Sequence, residues 1–235
     1  MLIFSLGKTK KEHRHKMNTL IHLSQKQQAA ALEALHILCD IFWGPDIDKC
    51  KRFFYQNGFR PFDILADRWK HASPGILDNL KGFIRNFPDE AALFSFLEEA
   101  YIRIFINART SVVPLYQSCY DDSSTQLTEP QAVLMGPSAV LMKERFADKG
   151  LSLADDLNDP PDHLAIELEY LYFLLQRGWS QQDDVLLSEA VTFASDCMLP
   201  WVTAFRNRLL SELNCPFYPL AAALLVAYLK GLSNP

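Results

Sequence analysis

Hydrophobic residues recur at helical spacing along most of the chain, most regularly between residues 158 and 176. Four leucines there follow one another at intervals of four, three and four residues: Leu164, Leu168, Leu171 and Leu175. Such a stripe predicts a helix with one face in the protein core. Asp159 and Pro160 are typical of an N-cap and a first helical position, and Gly178 suggests where the helix ends. We predict that this segment is the central helix of a bundle.

The same periodicity predicts helices on both sides of this segment. Ser24 with Gln27 forms a capping box that opens the first helix, and Gly44 closes it. Further helix starts are predicted at Asp46, Ser73-Pro74, Pro88-Asp89, Pro137, Ser180 with Asp183, Pro200 and Phe217. No stretch alternates at period two, and no internal repeat is visible. The pattern therefore predicts an all-α fold, a single-domain bundle of about ten helices.

The helical pattern is lost between Ala108 and Gly136. Pro114, Pro130 and the polar run at 121–124 are loop signals. The centre of this stretch, residues 112–120, is apolar and aromatic, so we expect it to lie against the body of the protein. Long loops inside a compact domain are uncommon and often functional. We predict one long functional loop within the bundle.

The first residues differ in composition from the rest. Residues 1–18 are predicted to be a disordered basic tail, and residues 19–235 the helical domain. Because the short apolar piece precedes the lysines, the order is the reverse of a secretory signal, and Met17 is a second candidate start. No apolar run approaches the ~20 residues of a membrane-spanning helix. The 5 scattered cysteines include no CxxC pair, which favours a reducing compartment, so we predict a cytoplasmic protein without stable membrane insertion.

Composition and charge narrow the choice of partner. The chain has 49% hydrophobic and 22% charged residues, which is typical of a soluble globular protein. Its net charge of −5 is uneven, because residues 111–196 carry 4 basic against 15 acidic residues, a net charge of −11. An acidic middle argues against nucleic acid and is compatible with a peptide rich in Arg or Lys. The alternative is a solvated acidic surface that keeps the protein soluble.

The sequence offers little catalytic chemistry. It contains no nucleophile elbow, Walker motif or HExxH. His163 and Glu167 lie one helical turn apart, but no third metal ligand stands at a suitable spacing. Asp162 with His163 could form an acid–base pair, yet no nucleophile is identifiable beside it. The structural alternative is that Asp162 caps the helix while His163 bonds the neighbouring loop. We predict no catalytic residue, no metal and no cofactor.

Several segments in the second half of the chain resemble, in the same order, the TorD/DmsD family. These are the cytoplasmic chaperones that mature molybdenum-containing redox enzymes. The matching segments are LEEAYIRIF (97–105), PLYQSCY (114–120), Met135-Gly136, DPPDHL (159–164), ELEY (167–170), Leu199-Pro200-Trp201 and Pro216-Phe217-Tyr218. The resemblance covers roughly Ala91 to Leu229, whereas the first ninety residues match only as a generic helical layout.

The resemblance implies a non-enzymatic, TorD-like chaperone. Such a protein binds the N-terminal leader, usually a twin-arginine signal, and the apo form of a molybdopterin-dependent oxidoreductase, assists cofactor insertion and delays export. Domain-swapped homodimers are known in the family, with a hinge near residues 154–163. Carried onto this sequence, the peptide-binding face comprises Tyr101, Ile104, Phe105, Tyr116, Ser118, Tyr120, Gly136, Asp162 and His163.

The residue types fit such a peptide. An acidic rim formed by Asp159 and Asp162, extended by Asp155 and Asp156, would meet arginines through charge-assisted hydrogen bonds. The aromatic residues Tyr101, Phe105, Tyr116 and Tyr120 would accept the apolar part of the leader. Core packing is the alternative for the helix residues 101–105. Two other functions stay open: a nitrate-reductase-type assembly chaperone for a client that is not exported, and a helical hydrolase using Asp162 and His163.

Overall fold

A computed structural model describes residues 23–55, 58–66, 74–107, 113–120, 135–154, 157–211 and 215–233. Within these ranges the chain is helical, and its β-type pairing is limited to one isolated bridge between Tyr116 and His163. The predicted all-α fold is confirmed. The predicted basic tail, residues 1–18, lies outside the described ranges.

The helices follow the chain as a bundle. In order they are α1 Gln25–Trp43, α2 Ile47–Tyr55, α3 Arg60–Ala66, α4 Pro74–Arg85, α5 Glu90–Tyr101, α6 Pro137–Asp148, α7 Leu164–Gln181, α8 Asp184–Thr192, α9 Leu199–Leu209 and α10 Phe217–Ser233. A π-helical turn, Ile102–Ile106, continues α5, and a second one, Phe193–Met198, joins α8 to α9. A 3₁₀ turn, Gln117–Cys119, lies in the long loop.

Several helix starts are determined by nearby side chains, as the sequence predicts. The backbone N–H of Gln27 donates to the Ser24 hydroxyl over 3.3 Å, and the Gln27 side chain accepts from the Ser24 N–H over 3.0 Å. Gly44 ends α1 at a φ of 106°, a conformation that favours glycine. Asp89 caps α5 by accepting from the Ala92 N–H at 2.8 Å.

The start of α7 differs from the prediction. The sequence predicts Asp159 as its N-cap, but α7 begins at Leu164 and His163 is the N-cap, its Nδ1 accepting from the Ala165 N–H at 3.2 Å. Residues 160–163 form a turn instead, in which the His163 N–H donates to the Pro160 carbonyl at 3.0 Å. The loop at residues 113–120 pairs with this turn, so tertiary contacts delay the helix by one turn.

The end of α7 also differs from the prediction. The helix runs past Gly178 and ends at Gln181, followed by Gln182 in the left-handed conformation at a φ of 54°. Gly178 serves packing rather than termination, since a Cβ there would lie 2.7 Å from Leu187 Cδ2. The N-cap of α8 is Asp183, and the predicted capping box with Ser180 is not formed.

Pro200 does not start a separate helix. Residues Asp184–Leu209 form one continuous helix, in which Pro200 lies in the first turn of α9. Among the described residues, this helix alone is long and apolar enough to cross a membrane, with a mean hydropathy of 1.3. Since 44% of the apolar window is buried inside the protein, and core helices of soluble proteins share these properties, it is weak support for a membrane protein.

The core lies where α7 packs along α1. All four leucines of the predicted stripe are fully buried, which confirms the core-facing side of α7. α10 closes the opposite side against α4 and α9. Buried tyrosines also bond to backbone carbonyls, as when the Tyr228 hydroxyl donates to the Ala31 carbonyl at 2.9 Å. This packing fixes the start of α7 beside the long loop.

Candidate functional site

The described part of the long loop, residues 113–120, is held across the start of α7. The Leu164 N–H donates to the Leu115 carbonyl at 2.8 Å, and the Gln117 N–H donates to the Asp162 carbonyl at 3.0 Å. At its other end the Val113 N–H donates to the carbonyl of Ile104 at 2.9 Å. The prediction that this apolar stretch lies against the body of the protein is correct.

Asp162 is buried beneath this loop. Its Oδ2 accepts from the Ser118 backbone N–H at 2.9 Å and makes a second, short hydrogen bond with the Ser118 hydroxyl. Its side chain is 1% exposed, and Oδ1 has no hydrogen-bond partner among the described residues. Asp162 and Ser118 are therefore brought together, but the expectation that Asp162 belongs to an open acidic rim is wrong. The carboxylate instead fastens the loop to α7.

His163 is also buried and is surrounded by aromatic rings. Its ring stacks on Trp43 with centroids 5.0 Å apart, and the edge of Tyr116 lies against it at 5.2 Å. Burial lowers the pKa of His163 to about 4, although the nearby charges of Asp159 and Asp162 act in the opposite direction. His163 is therefore neutral at pH 7, which suits its role as a hydrogen-bond acceptor at the helix start.

Tyr116 and Asp159 form the part of the site that reaches the surface. The Tyr116 hydroxyl donates to Asp159 Oδ1 at 2.9 Å, and both side chains are half-buried. Burial and the Asp159 carboxylate raise the pKa of Tyr116 well above its ordinary value. Asp155 and Asp156, the other predicted rim carboxylates, lie outside the described residues. Of the described carboxylates in this loop region, Asp159 is the one placed to meet a ligand.

Tyr101 borders this pair from α5. Its ring packs against Gly44, where a Cβ would lie 3.3 Å from the ring, and its hydroxyl donates to the Phe42 carbonyl at 3.1 Å. Burial, with a smaller contribution from the Asp159 charge, raises the pKa of Tyr101 to about 12. Gly44 thus has two roles, since it ends α1 and leaves room for Tyr101.

Ile104 and Phe105 do not line the surface of the site. They are 1% and 7% exposed, and Phe105 packs against Phe205 and Tyr218. For these two residues core packing, the alternative reading, is correct. The exposed residues of the π-helical turn are Ile102 and Ile106, at 49% and 61%, which sequence reasoning missed.

Tyr120 and Gly136 lie at the far end of the loop. The Tyr120 hydroxyl donates to the Pro114 carbonyl at 2.8 Å, and its ring faces Trp201, with the Arg208 guanidinium 4.5 Å from the ring centroid. Tyr120 therefore braces the loop instead of facing Asp159. Gly136 is the buried N-cap of α6, which packs on the 3₁₀ turn.

Sequence reasoning also missed Trp43. It is the last residue of α1, and its indole N–H donates to Glu169 Oε1 at 2.8 Å while its ring stacks on His163. An apolar residue ahead of a helix-ending glycine looks like ordinary core, so the sequence carried no signal for this role. Within the described ranges, no group of three His, Cys, Asp or Glu side chains could hold a metal ion.

Comparison with known proteins places these features in a family. A sequence profile of the family described as nitrate reductase delta subunit matches residues 67–207, more than half of the chain. Curated relatives include the chaperone protein TorD of Vibrio cholerae serotype O1, 32% identical over 126 residues. That alignment covers 52% of this chain and 53% of the relative.

Other relatives carry the same name. TorD of Photobacterium profundum is 28% identical over 129 residues, which are 53% of this chain and 56% of the relative. TorD of Vibrio vulnificus is 32% identical over 110 residues, which are 45% and 51%. The chain thus spans about half the length of the curated relatives it matches, and these are named chaperones, not enzymes. With the profile match and the segments around the loop and α7, the chain belongs to the TorD/DmsD family.

Proposed function

We propose that this protein is a cytoplasmic chaperone for the maturation of a redox enzyme. It binds the N-terminal leader, a twin-arginine signal, and the apo form of a molybdopterin-dependent oxidoreductase, assists cofactor insertion and delays export. The observation that carries the proposal is the hydrogen-bonded Tyr116–Asp159 pair at the surface of a loop fastened to α7. The TorD names of the relatives support the same class of function.

Asp159 supplies the acidic contact in this proposal. A guanidinium group forms strong charge-assisted hydrogen bonds with a half-exposed carboxylate. One oxygen of Asp159 already accepts from Tyr116, which orients the carboxylate, and no ion pair among the described residues uses Asp159. Asp162 and His163 are positioning residues, because they hold the loop against α7 without being exposed themselves.

Exposed apolar side chains beside the loop suit the apolar part of a leader. Ile102 and Ile106 project from the π-helical turn that bonds to Val113, and Val140 and Leu141 are about half exposed on α6. Exposed apolar side chains on two elements that contact the loop support binding of an apolar peptide segment.

Calorimetry with a synthetic twin-arginine leader tests the proposal. The wild-type protein should bind saturably, and Asp159→Asn should weaken binding at least about tenfold, because one charged hydrogen bond contributes roughly 1.5–3 kcal/mol. Glu144→Gln, which removes an exposed carboxylate from α6, is the matched control and should bind like wild type. Absence of leader binding by the wild-type protein would refute the proposal.

A second candidate is an assembly chaperone of the nitrate-reductase type for a client that is not exported. The family description supports it. In that case a leader with both arginines replaced by lysine should bind as tightly as the original. The hydrolase alternative has little support, because Asp162 and His163 are both buried and engaged in holding the loop and the helix start.

We also propose that the protein forms domain-swapped homodimers through a hinge near residues 154–163. This segment connects α6 to α7, and exchange there would move the helices that follow as one unit. Light scattering coupled to size-exclusion chromatography should detect a dimer that separates slowly on dilution. A monomer at every concentration tested would argue against the exchange.

A further inference from the structure

A groove between α1 and α7 lies beside the proposed leader site. Its volume is about 340 Å³, and it combines two carboxylates, Asp40 and Glu169, with two aromatic side chains, Trp43 and Tyr172. Leu35 and Leu168 form part of its apolar lining. A cavity of this composition suits a ligand that is positively charged and also has a flat, weakly hydrated surface.

Glu169 is the carboxylate of the groove that is available to a ligand. Its Oε1 accepts from the Trp43 indole N–H at 2.8 Å and lies 3.8 Å from the Cys39 sulfur, contacts that fix the carboxylate beside the indole. The side chain is exposed, and no ion pair among the described residues includes it.

Asp40 is already compensated by cations. Its carboxylate lies 2.7 Å from Arg52 and 3.9 Å from Lys49, and the His36 imidazole is 3.6 Å away. Burial raises the pKa of the Cys39 thiol, and the charges of Glu169 and Asp40 raise it further. Because these cations surround Asp40, Glu169 is the carboxylate of the groove that has no cationic partner among the described residues.

Trp43 connects this groove to the loop site. One contact of the indole is with Glu169 in the groove, and the other is the stack on His163 at the start of α7. Glu169 follows His163 by six residues, which is about 9 Å along a helix axis. The groove and the start of α7 therefore meet at the same indole.

We propose that the α1–α7 groove binds an arginine side chain of the leader peptide, with the guanidinium paired to Glu169 and placed against the indole of Trp43. The proposal rests on the proposed function for the source of the arginine. A guanidinium is planar, pairs with a carboxylate and stacks on aromatic rings, whereas a lysine ammonium is a compact and more strongly hydrated charge. The groove should therefore prefer arginine to lysine.

A small probe tests the groove without a client. N-acetyl-arginine amide is titrated into the full-length protein while the indole N–H resonance of Trp43, assigned with Trp43→Phe, is followed by NMR. The wild type and Glu144→Gln should show the same saturable shift, and Glu169→Gln, which retains an oxygen acceptor for the indole, should lose it. N-acetyl-lysine amide should shift the resonance less. Equal shifts in wild type and Glu169→Gln would overturn the assignment.

Measuring the affinity for the leader distinguishes a failure of the groove proposal from a failure of the proposed chaperone function. With the twin-arginine peptide, Glu169→Gln should weaken binding about tenfold and Glu144→Gln should leave it unchanged. If Glu169→Gln binds the leader as tightly as the wild type does, the groove proposal is refuted and the chaperone proposal is retained. If N-acetyl-arginine amide shifts the indole N–H resonance of Trp43 but the protein binds no leader, the groove proposal is retained and the proposed function is refuted.

Discussion

At the scale of single residues, the two buried polar side chains of this site stabilise the loop and the start of α7, and they are not exposed to a ligand. Asp162 and His163 are the residues that a sequence motif would mark as reactive, yet both are almost fully buried. Asp162 joins the loop to α7 through Ser118, and His163 Nδ1 accepts from the Ala165 N–H in the first turn of the helix. Substitutions here should change stability as well as binding.

Ser118→Ala should destabilise the protein by about 1–3 kcal/mol, because it leaves the buried Asp162 carboxylate with one donor fewer. The free energy of unfolding from urea denaturation measures the effect. Ser95→Ala, at an exposed position of α5, is the control and should change little. In a double-mutant cycle with Asp162→Asn the two effects should be less than additive, and full additivity would contradict the contact.

His163 should make stability depend on pH. Because its folded pKa is lowered to about 4, the unfolded chain binds a proton below the ordinary value of 6.5 while the folded chain does not. Stability is then complete above pH 6.5 and should fall by roughly 3 kcal/mol as the pH drops towards 4. Urea denaturation across this range should show a flatter dependence in His163→Asn, which keeps a capping oxygen.

At the scale of elements, the sequence predicted helix boundaries that local side chains determine better than boundaries that depend on packing. Ser24 and Asp89 cap their helices through side chains that lie within three residues of their donors, so the local sequence was sufficient. Gly178 is typical of a helix end and Pro200 of a helix start. In the structure Gly178 is a packing position, and Pro200 lies in the first turn of α9 within a longer helix. Their roles depend on Leu187 and on the π-helical turn, which local signals do not reveal.

Gly178→Ala should destabilise the protein by about 1–3 kcal/mol, since its Cβ would lie 2.7 Å from Leu187 Cδ2 and force α7 away from α8. Thermal and urea denaturation measure the loss. Gly82→Ala in α4 is the matched control, because nothing lies within 4 Å of its added Cβ. That variant should be unchanged or more stable by about 0.5–1 kcal/mol, and equal effects at both positions would contradict the packing argument.

At the scale of the whole molecule, charge and fold act together. The acidic surplus of residues 111–196 lies in the half of the chain that carries the loop, α6 and α7. A basic peptide would be attracted to this region before it makes specific contacts. The buried part of the site contributes shape, and the half-buried Asp159 and the exposed Glu169 contribute charge.

Leader binding should therefore weaken with rising salt. Ions screen charges that are exposed or half-exposed, and the Debye length falls from about 10 Å at 0.1 M to about 3 Å at 1 M. Calorimetric titrations over this range should show a severalfold loss of affinity for the wild type and a smaller loss for Asp159→Asn. An affinity that does not vary with salt would contradict the acidic contact.

The sequence by itself determined the helical architecture, the core-facing stripe of α7 and the packed loop, because spacing and capping act between residues a few positions apart. Only the tertiary structure decided which residues are exposed. Asp162 is buried by Ser118, 44 positions earlier, and Trp43 is brought to Glu169 across 126 positions. Such contacts depend on how the helices pack, which local sequence does not show. The sequence therefore predicted an open acidic rim, whereas in the structure Asp162 is buried and holds the loop, and Asp159 and Glu169 are the carboxylates that reach the surface.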